Sequence, residues 1–206
     1  MIDVRIAIRM FTVELHDPRK SQQTPAVRIA GGAAPILGHQ AAALLRQLQE
    51  GNADERRKAL LGLADQGDFG TVPQVAAALR DADLVTRRLA EQALWSIWSR
   101  SGNEEVDELL RVGSQLLARG QPEQSIPVFS RIIERAPEFA EGYNKRATAY
   151  YHAGDYQKSL VDIDETLKRN PYHFGALSGA GLCLIELERF PEALGFLERA
   201  LTINPN

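Results

Sequence analysis

The stretch AEGYNKRATAYYHAGDYQKSLVDIDETLKRNPYH, Ala140 to His173, decides the fold. It contains two runs of good helix formers separated by Gly154-Asp155, and a proline follows the second run. Pro171 lies 34 residues after Pro137 and 34 before Pro205. Laid out at that period, the chain divides into Val106–Phe139, Ala140–His173 and Phe174–Asn206. The columns agree. Column four reads Leu109, Tyr143, Leu177, and column eleven reads Leu116, Tyr150, Leu184. Column eight is small (Gly113, Ala147, Gly181), as is column twenty (Ser125, Ser159, Ala193). Column twenty-four is large and apolar (Phe129, Ile163, Leu197).

The physical reading follows from the spacing. Apolar columns four, seven and eleven form one stripe on a first helix. The small residue at column eight lets a second helix approach closely, and column twenty is its counterpart on that helix. Gly120 and Gly154 are placed to end the first helix in a left-handed conformation. The column-32 proline stops the second helix. Such a hairpin cannot bury its apolar face alone, and stacking three in a row buries it.

This pattern resembles the tetratricopeptide repeat family over residues 106–206. AEGYNKRATAYYHAGDYQKSLVDI and HFGALSGAGL are also similar to segments of small bacterial proteins of this type. The resemblance implies an all-α fold, a right-handed α-solenoid of stacked helix hairpins. It also implies a non-catalytic role as an adaptor or scaffold that binds a peptide or helix of a partner protein. In that family the first helix of each hairpin lines a concave groove. Carried over, the groove candidates are Leu110, Ser114 and Leu117 from the first repeat. The second repeat supplies Glu141, Asn144, Lys145, Thr148, Tyr151 and His152. The third supplies Ser178, Leu182 and Ile185, with Glu186 beside them. Members that clamp a C-terminal carboxylate need Lys at column five and Asn at column nine of the first repeat. Those positions are Leu110 and Ser114 here, which argues against that use.

Upstream, Arg57 and Arg88, Ala59 and Ala90, and Leu63 and Leu94 are each 31 residues apart. Helices are expected over Ile36–Gln49, Asn52–Gln66, Val72–Arg80 (opened by Pro73) and Asp81–Trp98. This resembles degenerate HEAT-type repeats over residues 36–102, ahead of three repeats within residues 103–206. Trp95 and Trp98 share a helical face, with core packing the reading preferred over ligand stacking. Asn103 is placed to cap the next helix. Residues 1–35 differ. Ile2, Val4, Ile6, Ile8 and Met10 alternate with polar or small residues at strand period, and Thr24–Gly38 reads as linker. This segment is expected to be poorly ordered or peripheral.

Composition bounds the function. Across 206 residues, 44% are hydrophobic and 25% charged, with a net charge of −3. Residues 1–105 carry 13 basic and 13 acidic side chains, and the remainder 11 and 14, so neither half has the basic excess that favours nucleic acid. No apolar run reaches the ~18 residues of a membrane span. The N-terminus lacks the order of a secretory signal, so cytoplasm is the default compartment, with export left open. The one cysteine, Cys183, sits among Leu182, Leu184 and Ile185 and reads as core. The four histidines show no metal-ligand spacing, and no phosphate or dinucleotide loop is present, so no cofactor and no metal are expected.

Two features stand out. Column seven is Val112, Arg146, Ala180, and an arginine there must snorkel out or pair with Asp162, Asp164 or Glu165. The last repeat has no polar capping helix after it in this sequence, so Phe196, Ala200 and Ile203 form a candidate association surface for a second copy or a partner. An enzyme built on Lys145, Arg146 and His173 is the remote alternative.

Overall fold

The computed structural model describes residues 39–206, and among them every regular element is helical. The alternating stretch Ile2–Met10 and the segment 1–35 lie outside the described residues. Ten α-helices follow in order: α1 His39–Glu50, α2 Ala53–Gln66, α3 Val72–Ala77, α4 Leu84–Trp98, α5 Glu104–Ala118, α6 Pro122–Arg135, α7 Ala140–His152, α8 Tyr156–Arg169, α9 Phe174–Glu186 and α10 Phe190–Ile203. The chain divides into two compact units. Residues 101–202 form one, and residues 28–100 with the last four residues form the other. The repeat period places those four residues at the end of the third hairpin, whereas their contacts group them with the N-terminal unit.

In the N-terminal unit, Asn52 caps α2 with a reciprocal box. Its side chain accepts from the amides of Asp54 and Glu55, and its own amide donates to Glu55. The expected Val72–Arg80 helix is shorter, because Val72–Ala77 tightens into a 3-10 turn over Ala78–Arg80. Leu60, Leu63, Val72, Val75, Leu79, Ala90 and Leu94 are fully buried and form the core. Burial of each large aliphatic side chain stabilises by about 1.5–3 kcal/mol. Two adjacent arginines brace this core from its edge. Arg56 forks onto Asp81 (2.7 and 3.0 Å) and Arg57 onto Asp83 (2.9 and 2.8 Å). Asp83 is also the N-cap of α4, so one carboxylate holds both a guanidinium and a helix start. Trp98 is buried, and its ring meets Trp95 edge-on at 5.1 Å between centroids. Asn206 belongs to this unit: it donates to the Leu79 carbonyl at 2.9 Å and accepts from Arg87 at 2.7 Å.

The C-terminal unit is three hairpins, α5–α6, α7–α8 and α9–α10. Asn103 opens α5 by accepting from the amides of Glu105 and Val106. Columns eight and twenty-four meet as the spacing requires. A side chain at Gly113 would run into the Phe129 ring, and one at Gly181 would meet Leu197 at 2.6 Å. Column twenty meets column eight in the middle hairpin, where Ser159 Oγ donates to the Ala147 carbonyl at 2.8 Å. Gly120 and Gly154 end their helices at φ of +70° and +78°. The third hairpin makes the same turn without glycine, since Glu188, 34 residues after Gly154, takes φ +58°.

Candidate binding face

The middle hairpin holds two buried polar assemblies. The first answers the column-seven anomaly. Arg146 donates from Nε and Nη2 to the two carboxylate oxygens of Asp162 at 2.7 and 2.8 Å, and from Nη1 to Ser130 Oγ at 3.0 Å. Asp162 is 2% exposed. The expected solvated acidic face is thus split: Asp162 points inward as a structural partner, while Asp164 and Glu165 pair with Lys168 on the surface.

The second assembly joins two repeats. His173 is buried, and its Nδ1 accepts the Ala176 amide hydrogen at 3.0 Å, capping α9. A backbone amide can only donate, so the ring proton sits on Nε2, which donates to Glu141 Oε2 at 3.0 Å. Asn144 Nδ2 donates to the same oxygen at 3.3 Å, and Lys145 Nζ lies 3.4 Å from Oε1. Burial alone would raise the Glu141 carboxyl. The Lys145 ammonium and the hydrogen bonds from His173 and Asn144 outweigh burial and hold it below the usual carboxylate range.

These assemblies redraw the groove. Leu110, Glu141, Asn144, Lys145, Thr148, Ser178 and Leu182 are buried. Glu141 in particular is an interior partner of His173 and not an open contact, because a lone glutamate at column two found a histidine at the end of its own repeat. Ser114, Leu117, Tyr151 and Ile185 are half-buried, and His152 and Glu186 are exposed. Leu117, Tyr151 and Ile185 occupy column twelve of successive repeats, near the C-terminal end of each first helix. The accessible apolar surface on these helices is therefore a ladder along one rim.

At the centre of that rim stand residues which column reading did not bring together. Tyr151 and Tyr156 have ring centroids 5.5 Å apart at 56°, and His152 meets Tyr151 edge-on at 5.6 Å. Glu186 reaches the Tyr156 hydroxyl, and burial together with its charge pushes both phenols above the usual tyrosine range. Tyr156 was absent from the sequence-derived candidates. Its only signal was an aromatic at the first position of the second helix, shared with Phe190.

Cys183 is buried and donates to Ser159 Oγ at 3.2 Å, with burial pushing the thiol up to about 11, so it is an inert core residue. On α10, Ala200 is buried, and Phe196 and Ile203 are half-buried, Phe196 packing against the Ala147–Ile163–Cys183 cluster. Of the expected association surface, Ala200 is therefore unavailable, since a small side chain on the inner face is covered. The exposed large apolar residues of this helix are Phe190 (59%) and Leu194 (47%), one turn apart. No helix among the described residues is long and apolar enough to cross a membrane.

Comparison with known proteins agrees with the repeat register. The family model for the tetratricopeptide repeat matches residues 112–163 and 162–206. A TPR repeat-containing protein of Rhizobium etli is 32% identical over 108 residues, which is 52% of this chain and 53% of that protein. Human tetratricopeptide repeat protein 4 is 34% identical over 62 residues, 30% of this chain and 16% of that protein. The chain thus spans about half the length of the rhizobial relative and far less of the human one. Among solved structures, MamA from Desulfovibrio magneticus aligns over 82% of this chain and 97% of its own, with a TM-score of 0.46 and 17% identity. The yeast Sti1 TPR2AB domain, solved as a complex with pHSP90, aligns over 79% and 61%, with a TM-score of 0.46 and 22% identity. The matched register, the close column-eight contacts and the repeated turn agree: residues 112–206 of this chain are tetratricopeptide repeats.

Proposed function

We propose that the repeat unit is a non-catalytic docking platform that holds an extended segment or amphipathic helix of a partner protein. Tetratricopeptide repeat proteins generally mediate protein–protein interactions, which gives the broad class. The observation that favours a particular surface is the column-twelve ladder, Leu117, Tyr151 and Ile185, half-buried and apolar on successive first helices. Ser114 and His152 flank it with hydrogen-bonding groups. Alternating apolar and polar positions suit a peptide that reads pockets with its side chains. Arg146, Lys145 and His173, the residues an enzyme would have used, are all engaged in the internal assemblies, which favours the non-catalytic reading.

The test uses the full chain as bait in its native organism, comparing the wild type with Leu117→Asp and Ile185→Asp. Proteins recovered with the wild type and lost with both variants support the platform. Identical recovery with all three baits refutes it.

A second reading is assembly through α10. Phe190 and Leu194 expose adjacent apolar side chains there, which favours self-association or partner docking at that helix. Light scattering of the wild type and Leu194→Asp separates it: a mass that falls with the substitution supports the reading, and a monomer at every concentration removes self-association.

A further inference from the structure

We infer that the corner formed by Tyr151, Tyr156 and Glu186 seats a cationic side chain of the bound segment, an arginine. The inference rests on the docking-platform reading and names the chemistry it selects.

Three observations converge. Two tyrosine rings 5.5 Å apart, inclined at 56°, present adjoining π faces, and the ring quadrupole attracts a cation placed over it. Glu186 is exposed beside them and reaches the Tyr156 hydroxyl. It makes no ion pair among the described residues, whereas the nearby cations are already matched: Lys158 with Asp155 at 2.6 Å and Arg189 with Glu192 at 2.7 Å. Finally, α7 ends at His152 and α9 at Glu186, so two helices bring the negative ends of their dipoles to the same corner.

Arginine fits better than lysine. Its planar guanidinium can lie on a tyrosine ring and still fork onto a carboxylate. The protein already uses that arrangement internally. Arg169 stacks on Tyr143 at 4.3 Å from the ring centroid while its Nη1 donates to Glu165 Oε2 at 2.6 Å. The corner offers the same pair of elements, a ring face and a carboxylate, at the rim of the ladder. An arginine seated there would be followed in an extended segment by side chains directed at Leu182 and Ile185.

The experiment titrates ¹⁵N-labelled full-length protein with Nα-acetyl-arginine amide, its citrulline counterpart and Nα-acetyl-lysine amide, following amide shifts. The expected result is saturable movement of amides within residues 151–156 and 183–187. Arginine should bind about two- to fivefold more tightly than neutral citrulline, the range expected of an exposed cation–π contact. Glu186→Gln, an exposed substitution whose fold is checked by thermal unfolding, should bring arginine down to the citrulline level. Tyr156→Phe, which keeps the ring, should weaken binding less. Arginine no better than citrulline, or shifts confined to other residues, overturns the proposal, and lysine matching arginine overturns the choice of guanidinium. The two readings fail separately. A Leu117→Asp bait that keeps its partners sinks the platform and leaves the arginine result standing, whereas a null titration sinks the corner and leaves partner capture untouched.

Discussion

Arg146 and Asp162 meet across the middle hairpin as a forked ion pair, at 2.7 and 2.8 Å, in a place where the neighbouring hairpins pack apolar side chains. Column seven and column twenty-three are Val112 and Val128 in the first hairpin and Ala180 and Phe196 in the third. Removing one partner of such a pair leaves a desolvated charge, and fully buried cases cost about 3–5 kcal/mol. The Arg146 side chain is 21% exposed, so Arg146→Ala should cost less, about 2–3 kcal/mol. The double variant Arg146→Leu/Asp162→Leu should be close to neutral. Urea unfolding of the three proteins decides it: a double variant as unstable as the single one removes the account.

The close approach at column eight predicts opposite outcomes for two glycines. Gly113→Ala pushes a methyl group into the Phe129 ring, and overpacking of this kind costs about 1–3 kcal/mol. Gly195 lies inside α10 with open space around its Cα, so Gly195→Ala should stabilise by about 0.5–1 kcal/mol. Thermal melts of both variants check the pair together.

Glu188 carries a left-handed backbone that its two counterparts assign to glycine. A non-glycine residue there costs about 1–2 kcal/mol, part of which glycine returns as unfolded-state entropy. Glu188→Gly should therefore raise stability by about 0.5–1 kcal/mol. The same change at an exposed mid-helix residue such as Glu198 should lower it by about 1 kcal/mol.

Glu141 gives the repeat unit an acid-sensitive joint. Its carboxyl titrates below the ordinary 4.5 in the folded chain, so the folded state binds a proton less readily than the unfolded one. The stabilisation from its ionised form is complete above about pH 4.5 and is lost as pH falls through the lowered folded value. The stability difference between wild type and Glu141→Gln should be constant near neutrality and shrink below that pH. Paired denaturation series from pH 7 to pH 3 measure it, and a difference independent of pH contradicts the assignment.

The hairpins were legible in the sequence because their determinants recur in single columns. Gly113, Gly181, Phe129 and Leu197 announce their contacts by size alone. The sequence also confined the partner of Arg146 to three acids, but selecting Asp162 depends on how the second helix faces the first. Helical spacing spreads Asp162, Asp164 and Glu165 around an axis without saying which points inward. Depth was less legible than face. Column position put Glu141, Asn144 and Thr148 on the groove side correctly in register, yet how far each is covered depends on its neighbours' size and on pairs such as Glu141 with His173. The Tyr156–Glu186 contact joins column seventeen of one repeat to column thirteen of the next, so no comparison within a column could find it.

The forked pair in the middle hairpin also bears on how an array of near-copies assembles. Three hairpins with interchangeable apolar faces could exchange helices during folding, within one molecule or between two. Arg146 makes those exchanges unequal. Matched with the second helix of the first repeat, it would face Val128, and with that of the third, Phe196, in either case a guanidinium without a carboxylate. Asp162 would suffer likewise opposite Val112 or Ala180. A single charge pair thus acts as a lock between cognate helices, giving the central repeat an address that its neighbours do not share.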